Sequence, residues 1–185
     1  MKWIITGFIA MILFLERVAI CNKLKGLVNI MIEKEIKKPL VDGYESVKEI
    51  LDWIGSKQEV SDRVKAIKEY QEKSKAFARF LLEYGRQKEG AFSEVAALID
   101  KYNPSKKSRW LLEPCSVVWA ELASYDNSNA QMAIEVKRLR LLKMLEETNP
   151  DDAEIMFSLI NGSYTLPDRV NHKILALALG ELEGE

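Results

Sequence analysis

One histidine, His172, bounds the chemistry open to this chain of 185 residues. Ser-His-Asp and Cys-His catalysis both need an imidazole held between a nucleophile and an orienting group. His172 lies in a closing helical segment with no serine or cysteine signature beside it, so a structural role is expected. The same count excludes a multi-histidine metal site. Carboxylates are the second chemistry-bearing type, and Glu146, Glu147, Asp151, Asp152 and Glu154 crowd one short stretch. Such a group can hold a hard cation through oxygen. These acids straddle the end of one helix and the start of the next, where the positive end of the helix dipole accounts for Asp151 and Asp152. No metal site is predicted.

Cations beside an aromatic ring form a third set. Lys106, Lys107 and Arg109 flank Trp110 in a connecting loop, where the cations could grip a phosphate backbone and the indole stack on a base. The same residues equally fit a solvated loop anchored by a buried indole. Lys137, Arg140 and Lys143 fall within one arc of a helix at about 100° per residue, with Arg138 directed elsewhere. Apolar residues interrupt that arc, and Glu135, Glu146 and Glu147 can pair with it. Lys106, Lys107, Arg109, Trp110, Lys137, Arg140 and Lys143 are therefore the candidate nucleic-acid contacts. Trp53, Tyr70, Tyr84 and Trp110 supply aromatics enough to seed a protein interface. Cys21 and Cys115 are far apart and match no metal or redox spacing, a pattern that suits a reducing compartment. Phosphate-binding loops, dinucleotide glycine fingerprints and metal-ligand spacings are absent from the sequence. The expectation is no catalytic residue and no cofactor.

The elements that must position these residues are helical. Val47, Ile50, Leu51 and Ile54 recur at helical spacing over residues 44–54, and Gly55 supplies a stop. Ser61 is a good N-cap for the next segment. There Ile67, Tyr70, Ser74, Phe77, Leu81 and Tyr84 alternate by three and four, and Gly85 ends the stretch. Ser74 either belongs to that stripe or caps a second helix after a short break. Phe92, Val95, Ala96, Ile99 and Tyr102 repeat the pattern up to Asn103-Pro104. The apolar segment over residues 117–123 is of open type, and Asp126-Asn127-Ser128-Asn129 is a turn.

Residues 131–147 give the strongest helix, with Met132, Val136, Leu139, Leu142 and Leu145 among its apolar members. Leu141 and Met144 widen its stripe beyond that of a surface helix, which predicts a central position. Asn149 caps the following helix, Pro150 takes its first position, and Asp151 and Asp152 meet its positive end. Met156, Leu159 and Ile160 face inward there, and Asn161-Gly162 closes it. Pro167-Asp168 introduces the last helix, with Val170, Ile174, Leu175, Leu177 and Ala178 apolar. No stretch alternates as a strand does, so the fold class is all-α, a compact multi-helix bundle.

Residues 1–30 stand apart from the helical domain expected over residues 31–185. The run WIITGFIAMILFL, from Trp3 to Leu15, is too short for a standard membrane span, which needs roughly 20 apolar residues. It has the length of a signal-peptide core behind Lys2, but no small-x-small cleavage site follows, and Ile20 before Cys21 does not suit a lipoprotein signal. It reads as an uncleaved anchor, a helix buried against the body, or an extension outside the functional domain. Met31 is an alternative start under the last reading. Composition suits one globular domain, with 48% hydrophobic and 30% charged residues. With 27 basic and 28 acidic residues the formal charge is −1, so no whole-molecule pull toward nucleic acid or acidic membrane is expected.

The run Lys137-Arg138-Leu139-Arg140-Leu141-Leu142, then Met144-Leu145-Glu146, then Asn149-Pro150-Asp151-Asp152-Ala153, resembles a small uncharacterised protein family of tailed bacteriophages, cyanophages among them. In that family a basic-leucine helix leads into a helix start of His or Asn, Pro, acid, Asp and Ala. An Asn, a Leu-Pro turn and a Lys-Leu-type closing helix follow, to which Asn161, Leu166-Pro167 and Lys173-Ile174-Leu175 are similar. Residues 47–51 and the charged helix after Ser61 are similar to the family's opening. The middle departs, because Trp110-Leu111-Leu112-Glu113-Pro114 runs into Cys115 where the family has Trp-Leu-Pro and then Pro-Pro-Tyr. Residues 1–30 have no counterpart. The resemblance implies a phage origin and brings no activity with it. The expectation is a non-enzymatic helical protein of the host cytoplasm, an adaptor or accessory factor whose partner is a viral or host protein. Nucleic-acid binding through the seven residues above is the alternative, and membrane tethering through the Trp3 to Leu15 run a further one.

Overall fold

Reciprocal capping starts the first helix. Ser46 Oγ accepts from Lys48 N at 3.1 Å, and Glu49 Oε2 accepts from Ser46 N at 3.3 Å, opening α1 (Val47–Gly55). The computed structural model describes residues 36–87, 89–99, 102–107, 111–128 and 132–180. Lys37–Glu185 forms one compact unit; Met1–Ile36 is a second, of which only Ile36 is described. The expectations for the Trp3 to Leu15 run, Cys21 and Met31 thus lie outside the described residues. Among the described residues eight α-helices and two 3₁₀ turns occur and no strand, the all-α architecture expected. None of these helices is long and apolar enough to cross a membrane.

α2 (Val60–Lys73) begins before the expected cap: Arg63 N already donates to Glu59 O at 3.2 Å, which places Ser61 inside the first turn. Ser74 breaks the stripe, the second of its two readings. Its backbone is extended, its Oγ accepts from Phe77 N at 3.2 Å to start α3 (Lys75–Gln87), and it donates to the buried Glu45 Oε1 at 2.7 Å. α3 runs through Gly85, because a glycine stops a helix only where it turns left-handed. Gly90 does so at φ +73°, with Gly90 N and Ala91 N bonding back to Gln87 O and Arg86 O.

The segment after it keeps its burial but loses its helix. Only α4 (Ser93–Ala96) is helical, since Leu98 N and Ile99 N bond three residues back rather than four; Phe92, Val95 and Ile99 are buried all the same. α5 (Cys115–Leu122) resolves the ambiguous apolar segment as helix and continues into a 3₁₀ turn at Ala123–Tyr125. α6 (Ile134–Glu147) is followed by α7 (Pro150–Ile160), where Asn149 Oδ1 caps Asp151 N as expected. A 3₁₀ turn at Asp168–Val170 leads to α8 (His172–Leu179), capped by Asn171.

The core runs along aromatic edges. Trp53 meets Tyr70, Tyr70 meets Phe77, and Phe80 packs edge-on against both Trp119 and Tyr164 with centroids 5.6 and 5.9 Å apart. α3 packs most extensively on α5, and α2 on α8. The centre is therefore α3 with α5, not α6 as expected. α6 buries one face only, Lys137, Leu141, Met144 and Leu145, and leaves Val136 and Leu139 exposed. Its leucines surround the helix, so hydrophobicity alone does not choose the inner face. A polar bond helps to choose it: Lys137 reaches inward to Asp126 O at 2.8 Å.

Candidate functional site

Lys137 thereby leaves the set of nucleic-acid contacts. It is 3% exposed, and an ammonium engaged inside the fold cannot neutralise a phosphate. Arg138 is also turned inward, with Nε donating to Leu98 O at 2.6 Å. Arg140 and Lys143 are exposed and line one groove of about 320 Å³ between α5 and α6. Glu113, Glu121 and Glu147 line it too, so its cations are outnumbered by carboxylates. Lys106 and Lys107 are exposed and do not line this groove, while Arg109 and Trp110 lie outside the described residues. Of the seven candidates the structure brings together two, in a groove that suits a polyanion poorly.

The aromatic candidates are largely spent on packing. Tyr70 is buried, and its hydroxyl donates to Pro39 O at 2.9 Å. Trp53 lies under the ammonium of Lys57, 3.8 Å from the ring centroid. Tyr84 stacks on Phe80. His172 is exposed at the first residue of α8, beside a small pocket of about 110 Å³ walled by Leu81, Tyr84 and Leu175. Cys115 is buried, with Sγ 3.7 Å from Tyr44 O.

The acidic stretch divides by direction. Glu147 faces the α5–α6 groove, Asp151 and Glu154 face a second cleft, and Asp152 points into the core. Asp152 is a first-turn acid of α7, as expected, but dipole compensation within α7 is only part of its role. Its carboxylate accepts from Ser46 Oγ at 2.5 Å, Val47 N at 3.2 Å and Trp119 Nε1 at 2.8 Å. It joins the positive ends of two helices, α1 and its own α7, and locks both to the core indole of α5. Burial pushes its carboxyl above the ordinary range, against the pull of the Ser46, Trp119, Val47 and Lys48 hydrogen bonds. A second buried ionic cluster ties α3 to the end of the α5 region. Glu83, wholly buried, pairs with Arg79 at 2.8 Å and Arg86 at 3.2 Å, and Arg86 also pairs with Asp126.

The Asp152 junction positions a larger cleft of about 470 Å³. α1 contributes Lys48 and Asp52, α7 contributes Asp151 and Glu154, and the following turn contributes Asp168. Leu51, Ile155, Tyr164, Leu166 and Pro167 give it apolar walls. Lys48 Nζ pairs with Asp52 at 2.9 Å. That hydrogen bond holds the ammonium above its ordinary value, with Asp151 and Glu154 adding to it. Burial raises the Tyr164 hydroxyl as well, and Tyr84, Asp152 and Asp52 push it the same way. No cluster of three or more His, Cys, Asp or Glu suited to a metal ion occurs among the described residues.

Comparison of the chain with protein-family models, curated proteins and solved structures finds no match. The cleft is not legible in the sequence because its acids, Asp52, Asp151, Glu154 and Asp168, come from separate segments, and only α7 advertises a cluster. Asp152 was visible as a first-turn acid, but nothing local marks its bond to a tryptophan 33 residues away.

Proposed function

We propose that this is a phage-encoded, non-enzymatic helical protein that acts by binding another protein, as an adaptor or accessory factor. The observation that supports this reading is the outward face of α6. Leu139 is 63% exposed and Val136 stands beside it one turn back, while the inward face of the same helix carries a buried lysine. Large apolar side chains on an exposed helix face are what a partner's apolar helix can cover. Glu135, Lys143 and Glu146 surround them with mixed charge, a rim that suits a protein better than a polyanion. Inside the fold, the buried carboxylates Glu45, Glu83 and Asp152 are each held by hydrogen bonds or ion pairs, which serves architecture rather than turnover.

The test is quantitative co-purification from phage-infected cells with the wild-type chain and a Val136→Glu/Leu139→Glu variant. A stoichiometric partner recovered by the wild type and lost at least tenfold by the variant, with helicity unchanged by circular dichroism, is expected. Recovery of the same partner by both chains overturns the reading, as does recovery of none. Salt-sensitive binding of a DNA duplex, weakened by changing Lys106, Lys107, Arg140 and Lys143 to Ala, would replace it with the nucleic-acid reading.

A further inference from the structure

On the premise that the α6 face binds a protein, we infer that the partner presents an amphipathic helix of mixed charge and seats it in the groove between α5 and α6. The two helices run antiparallel and are tied near both ends. Glu113 N, just ahead of α5, donates to Glu147 O at 3.3 Å, and Lys137 Nζ donates to Asp126 O at 2.8 Å beyond the far end of α5. Between these ties a groove of about 320 Å³ opens over Val118 and Met144. Val117 on its rim is 52% exposed. At about 100° per residue Val136 shares its arc of α6 with Arg140 and Lys143, so the exposed apolar face of α6 runs into this groove.

The two walls differ in sign. α5 and its lead-in bring Glu113 and Glu121, whereas α6 brings Arg140 and Lys143. Among the described residues no ion pair bridges them. Tyr125 is buried, and its hydroxyl donates to Glu121 Oε1 at 2.6 Å, which holds that carboxylate on the α5 side before a partner arrives. At the end tied by its backbone, Glu147 joins Glu113, and this acidic end suits the positive end of a helix dipole.

These features set the chemistry of the occupant. No strand occurs among the described residues, so there is no sheet edge for an extended peptide to join, while two antiparallel helices offer the seat a third takes in a bundle. From Arg140 to Glu147 the α6 wall spans about two helical turns. An apolar stripe can lie on Val117 and Met144, with cations turned to Glu113 and Glu121 and acids turned to Arg140 and Lys143. A polyanion meets the carboxylates and a uniformly basic segment meets the cations. Mixed charge alone satisfies both walls.

The experiment uses the full chain and three fluorescein-labelled, hydrocarbon-stapled helical peptides that share one leucine stripe. Their flanks are lysine on one side and glutamate on the other, lysine on both, or glutamate on both, and binding is read by anisotropy at low and high salt. Expected is salt-sensitive binding of the mixed peptide at least tenfold tighter than either uniform one. A Glu113→Lys/Glu121→Lys variant should lose at least tenfold for the mixed peptide and gain at least tenfold for the all-glutamate one, a gain that unfolding does not produce. Glu72→Lys, exposed on α2, should change neither. Absence of mixed-peptide binding at low salt overturns the inference, as does equal binding of the three peptides. Self-association of the wild-type chain that Val117→Glu abolishes also overturns it, in favour of a second copy. In co-purification, a partner lost by Val136→Glu/Leu139→Glu but retained by Glu113→Lys/Glu121→Lys sinks the groove and leaves the α6 face standing; a partner retained by both sinks the α6 reading itself.

Discussion

Asp152 joins parts of the chain 106 residues apart. Its two oxygens take donors from the Ser46 hydroxyl, the Val47 amide and the Trp119 indole, all out of contact with water. Truncation to Ala leaves those donors without an acceptor, and each buried unsatisfied group costs about 1–3 kcal/mol. Asp152→Ala is therefore expected to lower stability by about 3 kcal/mol or more in urea unfolding; a loss below about 1 kcal/mol would show that water replaces the carboxylate. Asp152→Asn retains one accepting oxygen and is expected to fall between Ala and wild type. The pH dependence has a definite sign. Because burial raises this carboxyl in the fold, the native chain keeps its proton at pH values where the unfolded chain has lost it. The contribution is largest below the ordinary carboxylate range and is lost as pH rises toward the folded value. The advantage of wild type over Asp152→Asn should then shrink with rising pH across that window, which urea midpoints at several acid pH values would measure. An advantage that grows instead would mean the hydrogen bonds outweigh burial.

At the scale of elements, the start of α7 was legible and the facing of α6 was not. The Asn149-Pro150 start of α7 follows from local residues alone and stands where the sequence places it, whereas α1 begins at Val47, inside the expected 44–54 stretch, at a capping box between Ser46 and Glu49. Ser61 and Gly85 are the right residue types in the wrong places: a stronger requirement, the left-handed turn, falls at Gly90. α6 departs from its expected central place for a different reason. Apolar residues occur on every side of it, so periodicity leaves several faces equivalent, and the choice is made by Lys137 reaching Asp126 O across the turn. This gives a sharp comparison between neighbours two positions apart. Leu141→Ala removes a wholly buried side chain and should cost about 2–5 kcal/mol. Leu139→Ala lies on the solvent face and should change stability by no more than about 0.5 kcal/mol. Similar losses from both in urea unfolding would mean that α6 is covered on both sides.

For the whole molecule, a near-neutral total conceals an uneven distribution. Acids outnumber cations in both the α1–α7 cleft and the α5–α6 groove, although the formal charge of the chain is only −1. Local surplus of this kind affects association at close range and fades with added salt. Five buried or half-buried tyrosines share one direction of shift. Burial lifts the hydroxyl of Tyr70 to about 12, and those of Tyr84, Tyr102, Tyr125 and Tyr164 move in the same direction, chiefly for the same reason. A phenol that holds its proton longer in the fold than in the unfolded chain stabilises the fold fully below the ordinary value near 10, and that stability is lost as pH rises through the folded value. The fold should therefore weaken steadily from pH 10 toward 12, with the aromatic row around Phe80 opening as a unit because Tyr84 and Tyr164 both pack on that ring. Tyrosinate absorbance should rise in one cooperative step that coincides with loss of helical circular dichroism, and Tyr70→Phe should shift that step to higher pH. Smooth ionisation of the tyrosines while helicity persists would mean that their hydroxyls reach water in the native state, and the row would then be a surface feature rather than the spine of the core.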